Sequence, residues 1–309
     1  MDASRCPTLQ QGVSVYGMIP RELFQKIRRL EVRTRGLVDS LFSGEYHTAF
    51  KGQGITFAEV RPYQMGDDVR TIDWSVSARM GTLYVKLFEE EREQTLLLVV
   101  DVSGSQRFGL RRRTKQELAA EVCAVLGFSA LRNHDKVGLL LFSDRIEGFV
   151  PPRKGRRHVL RLLRDLYACS PRSHRTDLRV ALDYLLRVQR RRAIILLLSD
   201  FLDMPSFERP LRALARRHDV IALQLQDPVE QAWPAVGLVE VVDIETGQHR
   251  WLDTRSKRVQ QWLAAHTQAR QAALETQFRQ LQIDHVCLRT DTDYVEPLLH
   301  FFHQRNRRR

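Results

Sequence analysis

From Thr95 onward, short unbroken apolar runs alternate with longer segments in which apolar residues recur every three or four positions. The first pattern suits strands buried on both faces, the second suits helices with one buried side, and their alternation predicts a mostly parallel sheet covered above and below. The strand candidates are Leu96 to Asp101, Lys136 to Ser143, Glu147 to Val150, Ala193 to Asp200, Val220 to Gln226 and Val239 to Asp243. Between them, Thr114-Lys115-Gln116-Glu117 reads as a capping box opening a helix to about Leu131, since threonine and glutamate can satisfy each other's free amides. Arg156 to Cys169, Asp177 to Arg190 and Phe207 to Arg217 follow at helical spacing. Glu147 to Val150 comes too soon after Ser143 for a helical crossover, so it should turn back as an antiparallel edge strand that Pro151-Pro152 ends. After Asp243 come a polar turn, a long helix from about Thr254 to Gln282, a strand Asp284 to Leu288 and a closing helix from about Tyr294 to Gln304.

The chain before Thr95 has another texture. A basic helix around Pro20 to Leu41 leads into strand-like pieces, His47 to Phe50, Ile55 to Val60, Val69 to Trp74 and Tyr84 to Phe88, separated by Gly and Asp turns. The expected fold is therefore α/β: a doubly wound, mostly parallel sheet over residues 95–309, with a C-terminal helix-strand-helix extension, preceded by a small α+β appendage over residues 1–94.

Composition narrows the setting. Hydrophobic residues make up 43% and charged residues 28%, as in ordinary globular chains, so folding throughout is expected. No apolar run approaches the roughly 18 residues of a membrane span, and the start, MDASRCPTLQQGVSVYGM, lacks a signal-peptide core, which together predict a cytoplasmic protein with no membrane span. Cys6, Cys123, Cys169 and Cys287 are scattered without a CxxC pair, predicting reduced thiols. The formal charge of +12 invites a polyanion reading. Yet seven lysines stand beside 42 arginines spread along the chain, and the local clusters have no interleaved aromatics for base stacking; nucleic acid is disfavoured against an acidic protein surface.

The candidate chemistry lies at strand ends. In a doubly wound sheet of order 3-2-1-4-5-6 the first and fourth strands are neighbours, and their carboxyl ends open a ligand crevice. The first strand ends at Asp101 and the fourth at Asp200; Ser103 and Ser105 follow the first strand, and Thr176 lies in a loop on the same side. Two carboxylates and three hydroxyls without histidine or thiolate suit a hard cation, Mg²⁺ or Mn²⁺, which binds few side chains and keeps open positions. If the hydroxyls ligate directly and the aspartates act mostly through water, the ion keeps much of its charge and draws a carboxylate from a partner.

Asp101-x-Ser103-x-Ser105, then Thr176, then Asp200, resembles the metal-ion-dependent adhesion site of von Willebrand factor A domains in order, spacing and strand context, with Arg175 where glycine is expected. RPYQMGDDVRTIDWSVSARMGTLYVKLFEEE, Arg61 to Glu91, resembles the hallmark of the bacterial domain-of-unknown-function-58 family, and the likeness runs over roughly residues 30 to 305. That resemblance implies a von Willebrand A-like domain, a divalent cation at Asp101, Ser103, Ser105, Thr176 and Asp200, and joint action with a MoxR-type AAA+ ATPase in assembling or maturing protein complexes. An enzyme reading competes, a metal-dependent phosphohydrolase with Asp101 as nucleophile, but Ser103 stands where such an enzyme's general acid should be. A phosphate loop, G-x-S-x-G and H-E-x-x-H are missing from the sequence. Gly66 to Trp74, with three aspartates, reads as a structural turn, with Ile72 and Trp74 facing the core.

Overall fold

The computed structural model describes residues 21–38, 56–89, 93–109, 113–202, 207–231, 233–242 and 247–308. Helix α1 (Arg21–Leu37) is followed by a hairpin of β1 (Thr56–Pro62) and β2 (Tyr84–Glu89) that encloses the short helix α2 (Trp74–Met80). Next come β3 (Thr95–Asp101), α3 (Lys115–Arg132), β4 (Lys136–Phe142), β5 (Ile146–Arg153), α4 (Arg156–Ala168), α5 (Leu178–Val188), β6 (Ile194–Ser199), α6 (Glu208–Arg217) and β7 (Asp219–Gln226). The one-turn α7 (Pro228–Gln231), the ribbon β8 (Leu238–Val242) and β9 (His249–Asp253), the long α8 (Lys257–Gln280), β10 (Asp284–Arg289) and α9 (Val295–Arg308) complete the order.

Six strands form one sheet in the order β10-β7-β6-β3-β4-β5. Neighbours run parallel except β5, which is antiparallel to β4. Counted along the chain from the β5 edge, this is the 3-2-1-4-5-6 order expected, with β10 as the sixth strand. The reason the central runs are continuously apolar is visible in their alternation: Leu96, Leu98 and Val100 enter one buried cluster, and Leu97 and Val99 the other. Ile194, Leu196 and Leu198 of β6 join the first, and Ile195 and Leu197 the second. Helices α3, α4 and α9 cover the first face; α5, α6 and the end of α8 cover the second. Leu30 and Val38, within and just beyond α1, also belong to the first cluster. Helix α3 packs with thirteen buried residues, among them Ala119, Ala120, Cys123, Ala124 and Gly127, small enough to lie tight against the sheet and its helical neighbours.

Four expectations are corrected. Val239 to Val242, the described part of the strand expected over Val239 to Asp243, does not join the six-stranded sheet. Its alternation, with Glu240 exposed between half-buried valines, suits one partner strand, and among the described residues β8 pairs only with β9. Val69 to Trp74 is not a strand: Asp68 captures the Arg70 amide at 2.9 Å, Asp73 captures those of Ser75 and Val76, and the backbone is drawn into a 3₁₀ turn and then α2. Within it, Ile72 is buried but Trp74 is exposed. Finally, β5 runs through Pro151 and Pro152 to Arg153, because an edge strand tolerates residues that cannot donate. The piece His47 to Phe50 lies outside the described residues.

Gly138 marks a tight point of the sheet interior. A methyl group there would meet Leu97 Cδ1 at 2.8 Å and Pro152 Cγ at 2.9 Å. Gly138→Ala is expected to destabilise by about 1–3 kcal/mol, read as a lower urea midpoint; an unchanged midpoint would show that the edge strand shifts freely.

Candidate functional site

Strands β3 and β6 are hydrogen-bonded neighbours and end at the same level, with Val100 opposite Leu198, so Asp101 and the Ser199-Asp200 pair arrive together. Asp101 is fully buried and both its oxygens are engaged: Oδ1 accepts from Ser103 N at 2.9 Å, and Oδ2 accepts from Ser199 Oγ at 2.7 Å and from Gln106 Nε2 at 3.4 Å. Ser103 and Ser105 face each other with their hydroxyl oxygens 3.2 Å apart, held by a short 3₁₀ turn over Gly104–Arg107. Thr176 lies in a loop tied to this edge on either side: Gly104 N donates to His174 O at 3.0 Å, and Asp177 N donates to Ser143 O at 3.1 Å. Of the five residues singled out in the sequence, Asp101, Ser103 and Ser105 thus form one hydrogen-bonded group, Asp200 adjoins it electrostatically, and Thr176, half-buried, borders it.

Four further residues belong to the site and escaped sequence reasoning. Ser199 and Gln106 hold Asp101. Lys115 is 0% exposed and donates from Nζ to Asp200 Oδ2 and to Glu230 Oε1, both at 2.7 Å. The capping box that starts α3 places it: Thr114 Oγ1 accepts from Glu117 N, and Glu117 Oε2 accepts from Thr114 N, each at 3.1 Å. A signal existed, since Lys115 sits at the helix N-terminus, where a cation is unfavourable without anions to hold it.

The electrostatics follow from burial. Asp101 is pushed up to about 7, first by its removal from water and then by the negative charge of Asp200, against the hydrogen bonds from Ser103 and Ser199. For Lys115, burial alone would lower the pKa, but Asp200 and Glu230 outweigh it and hold the ammonium above its ordinary value. Burial raises Glu230, with Lys115 opposing. Among the described residues Asp200 Oδ1 is buried without a hydrogen-bond partner. Buried carboxylates crowded at a strand-end crevice, one unpaired oxygen and adjacent hydroxyls are the donor chemistry that suits a hard divalent cation.

The remaining candidates resolve as structural. Asp67 takes both guanidinium nitrogens of Arg61, at 2.8 and 2.7 Å, while Asp68 and Asp73 cap backbone amides, so the three aspartates of the Gly66 to Trp74 segment are all occupied locally. Cys123, Cys169 and Cys287 are free thiols; burial raises all three, Cys169 and Cys287 to about 11, which keeps them protonated at neutral pH. No helix among the described residues is long and apolar enough to cross a membrane.

A mixed α/β fold with a central six-stranded, mostly parallel sheet and a carboxylate-hydroxyl crevice at its carboxyl edge defines the class. The model of the family described as "Protein of unknown function DUF58" matches residues 59–273, and the chain belongs to that family. The uncharacterised Mycobacterium tuberculosis protein Rv1480 is 33% identical over 288 residues, covering 93% of this chain and 90% of its own length. The uncharacterised Bacillus subtilis protein YeaD is 33% identical over 109 residues, 35% of this chain and 25% of its own. Among solved structures, an aerotolerance-related membrane protein from Bacteroides fragilis aligns with a TM-score of 0.45 at 14% identity, covering 70% of this chain and 100% of that one. BatB from Bacteroides thetaiotaomicron aligns with a TM-score of 0.41 at 13% identity, covering 69% and 99%.

Proposed function

We propose that the carboxyl edge of β3 and β6 is a divalent-cation seat of the von Willebrand factor A kind. Asp101, Ser103, Ser105, Thr176 and Asp200 would hold Mg²⁺ or Mn²⁺. When bound, the ion supplies an open coordination position for the carboxylate of an Asp or Glu on another protein. The protein is then a metal-dependent interaction module, and the resemblance of Arg61 to Glu91 to the family hallmark points to a MoxR-type AAA+ ATPase as its co-acting partner in the assembly or maturation of complexes. The observation that carries the reading is the conjunction of buried Asp101, buried Asp200 with its unpaired Oδ1, and the paired hydroxyls of Ser103 and Ser105 at one strand-end crevice. The engagement of both Asp101 oxygens by Ser103 and Ser199 favours a fixed, orienting role over that of an attacking nucleophile.

The test is calorimetric titration of Mg²⁺ and Mn²⁺ into chelator-treated wild type, Asp101→Ala and Ser105→Ala. Saturable one-site binding is expected in the wild type, with loss in Asp101→Ala and weakening of about tenfold or more in Ser105→Ala. Equal binding by all three would move the ion elsewhere and sink the proposal. A second arm measures capture of the co-expressed ATPase, which should disappear with chelator and with Asp101→Ala.

A further inference from the structure

Lys115 joins three parts of the chain that are remote in sequence. Its ammonium lies in the interior at the start of α3, and it forms ion pairs with Asp200, at the end of β6, and with Glu230, in the one-turn α7, each at 2.7 Å. Glu230 keeps part of its side chain in solvent, whereas Lys115 and Asp200 are sealed. Helix stability does not call for a lysine here, because the positive end of the helix dipole repels it. What the placement does is cancel charge. Of the two aspartates at the strand ends, Asp200 already has a cation 2.7 Å from Oδ2 while its Oδ1 is unpaired among the described residues, and Asp101 is held by the neutral donors Ser103, Ser199 and Gln106.

We infer that Lys115 is a built-in counter-cation of the crevice: it shares Asp200 with an incoming divalent ion and so determines both how tightly that ion is held and what charge the occupied seat presents. This rests on the cation reading proposed above. With Asp200 neutralised by Lys115, Asp101 supplies the remaining full carboxylate charge to a divalent ion, so the ion, Lys115 and the two aspartates together keep a net positive charge, which the partly exposed Glu230 carboxylate offsets only in part because water screens it. Such a seat favours an anionic oxygen, a carboxylate, over a neutral carbonyl or amide as the completing ligand. Removing the lysine's charge would give the ion a second full carboxylate, tightening its capture and cancelling the charge that draws the partner. Glu230 acts in the opposite sense, because it takes a share of the ammonium away from Asp200. Lys115 and Glu230 are thus positioning residues that need not touch the ion.

Mn²⁺ alone is the probe, titrated into chelator-treated wild type, Lys115→Met and Glu230→Gln and followed by the electron paramagnetic resonance signal of the free ion. Lys115→Met is expected to bind Mn²⁺ about tenfold tighter than wild type, and Glu230→Gln a few-fold weaker. These opposite directions separate a charge effect from loosened packing, which would weaken both. Should Lys115→Met fail to give the wild-type circular dichroism spectrum, Glu230→Gln decides: undiminished Mn²⁺ affinity there overturns the inference. Wild-type binding with equal or weaker binding by a folded Lys115→Met overturns the inference and leaves the proposed function standing. No binding by wild type but binding by Lys115→Met supports the counter-cation and defeats the resident-ion reading. No binding by either defeats both.

Discussion

Replacing Asp101 by Asn is expected to raise the stability of the chelator-treated protein relative to wild type progressively as the pH climbs from about 4 to about 7. In the folded chain the Asp101 carboxyl is raised to about 7 from an ordinary 3.8, because burial and the neighbouring Asp200 both oppose its ionisation. A carboxyl raised in this way favours folding fully only below its unfolded value; the contribution is lost as pH climbs through the folded one. Asn has the carboxyl's shape without a charge to bury, and the acceptor it loses, since its amide nitrogen cannot accept as Oδ1 and Oδ2 do, costs the same at every pH. The stability difference from wild type should therefore shift in the variant's favour between about pH 4 and pH 7 by about 2–4 kcal/mol and stay flat above, since each tenfold change in an ionisation constant is worth about 1.4 kcal/mol. Urea unfolding of both proteins at pH 4.5, 6 and 8 in chelator checks it. A difference that does not vary with pH would mean that Asp101 is ionised throughout, its charge balanced by something other than a proton.

The second large effect lies behind the site. Phe278, near the end of α8, is buried, meets Phe201 edge-on with ring centroids 5.2 Å apart and lies 5.0 Å from the His285 ring. Phe201 immediately follows Asp200 and has a left-handed backbone, φ 52°, which a bulky residue adopts only where its surroundings hold it. Its own amide donates to Ser199 Oγ at 3.1 Å, the hydroxyl that supports Asp101. Phe278→Ala is expected to cost about 3–5 kcal/mol, since a cavity opens beside Phe201 within the buried cluster that also holds Leu274, Leu281 and Ile283, and the wall holding that turn is lost. The urea midpoint reads the stability. Ser199→Ala, which removes only the hydroxyl, should cost less, and a larger loss there than in Phe278→Ala would place the anchoring of the turn in the hydrogen bonds and not in the packing.

Much of this was legible in the chain itself. The runs at Leu96, Lys136, Ala193 and Val220 are apolar at both odd and even positions, a pattern that suits a strand covered on both faces, and the segments between them have one apolar side each. The Thr114–Glu117 cap could be read from four residues because its two hydrogen bonds close within one turn. Where reading failed, the deciding forces were of a different range. Between Val69 and Trp74, β-branched and aromatic residues suggested a strand, but Asp68 and Asp73 bind amides two and three residues ahead and turn the chain first. For Val239 to Asp243, residue preference for a strand was right, and the choice of partner was not, since pairing depends on which free edge lies within reach.

The sequence by itself determined the class of fold, the strand order around the first and fourth strands, and the arrival of Asp101 and Asp200 at one edge, because burial on two faces and a strand-end crevice both follow from local pattern and a short list of allowed topologies. Only the tertiary structure decided the charge of that crevice. Lys115 lies 85 residues from Asp200 and 115 from Glu230, and nothing in the spacing of a lone lysine beside a helix cap names its partners. Removal from water turns such an encounter into a strong constraint, since a buried charge must find its counter-charge wherever the fold brings one.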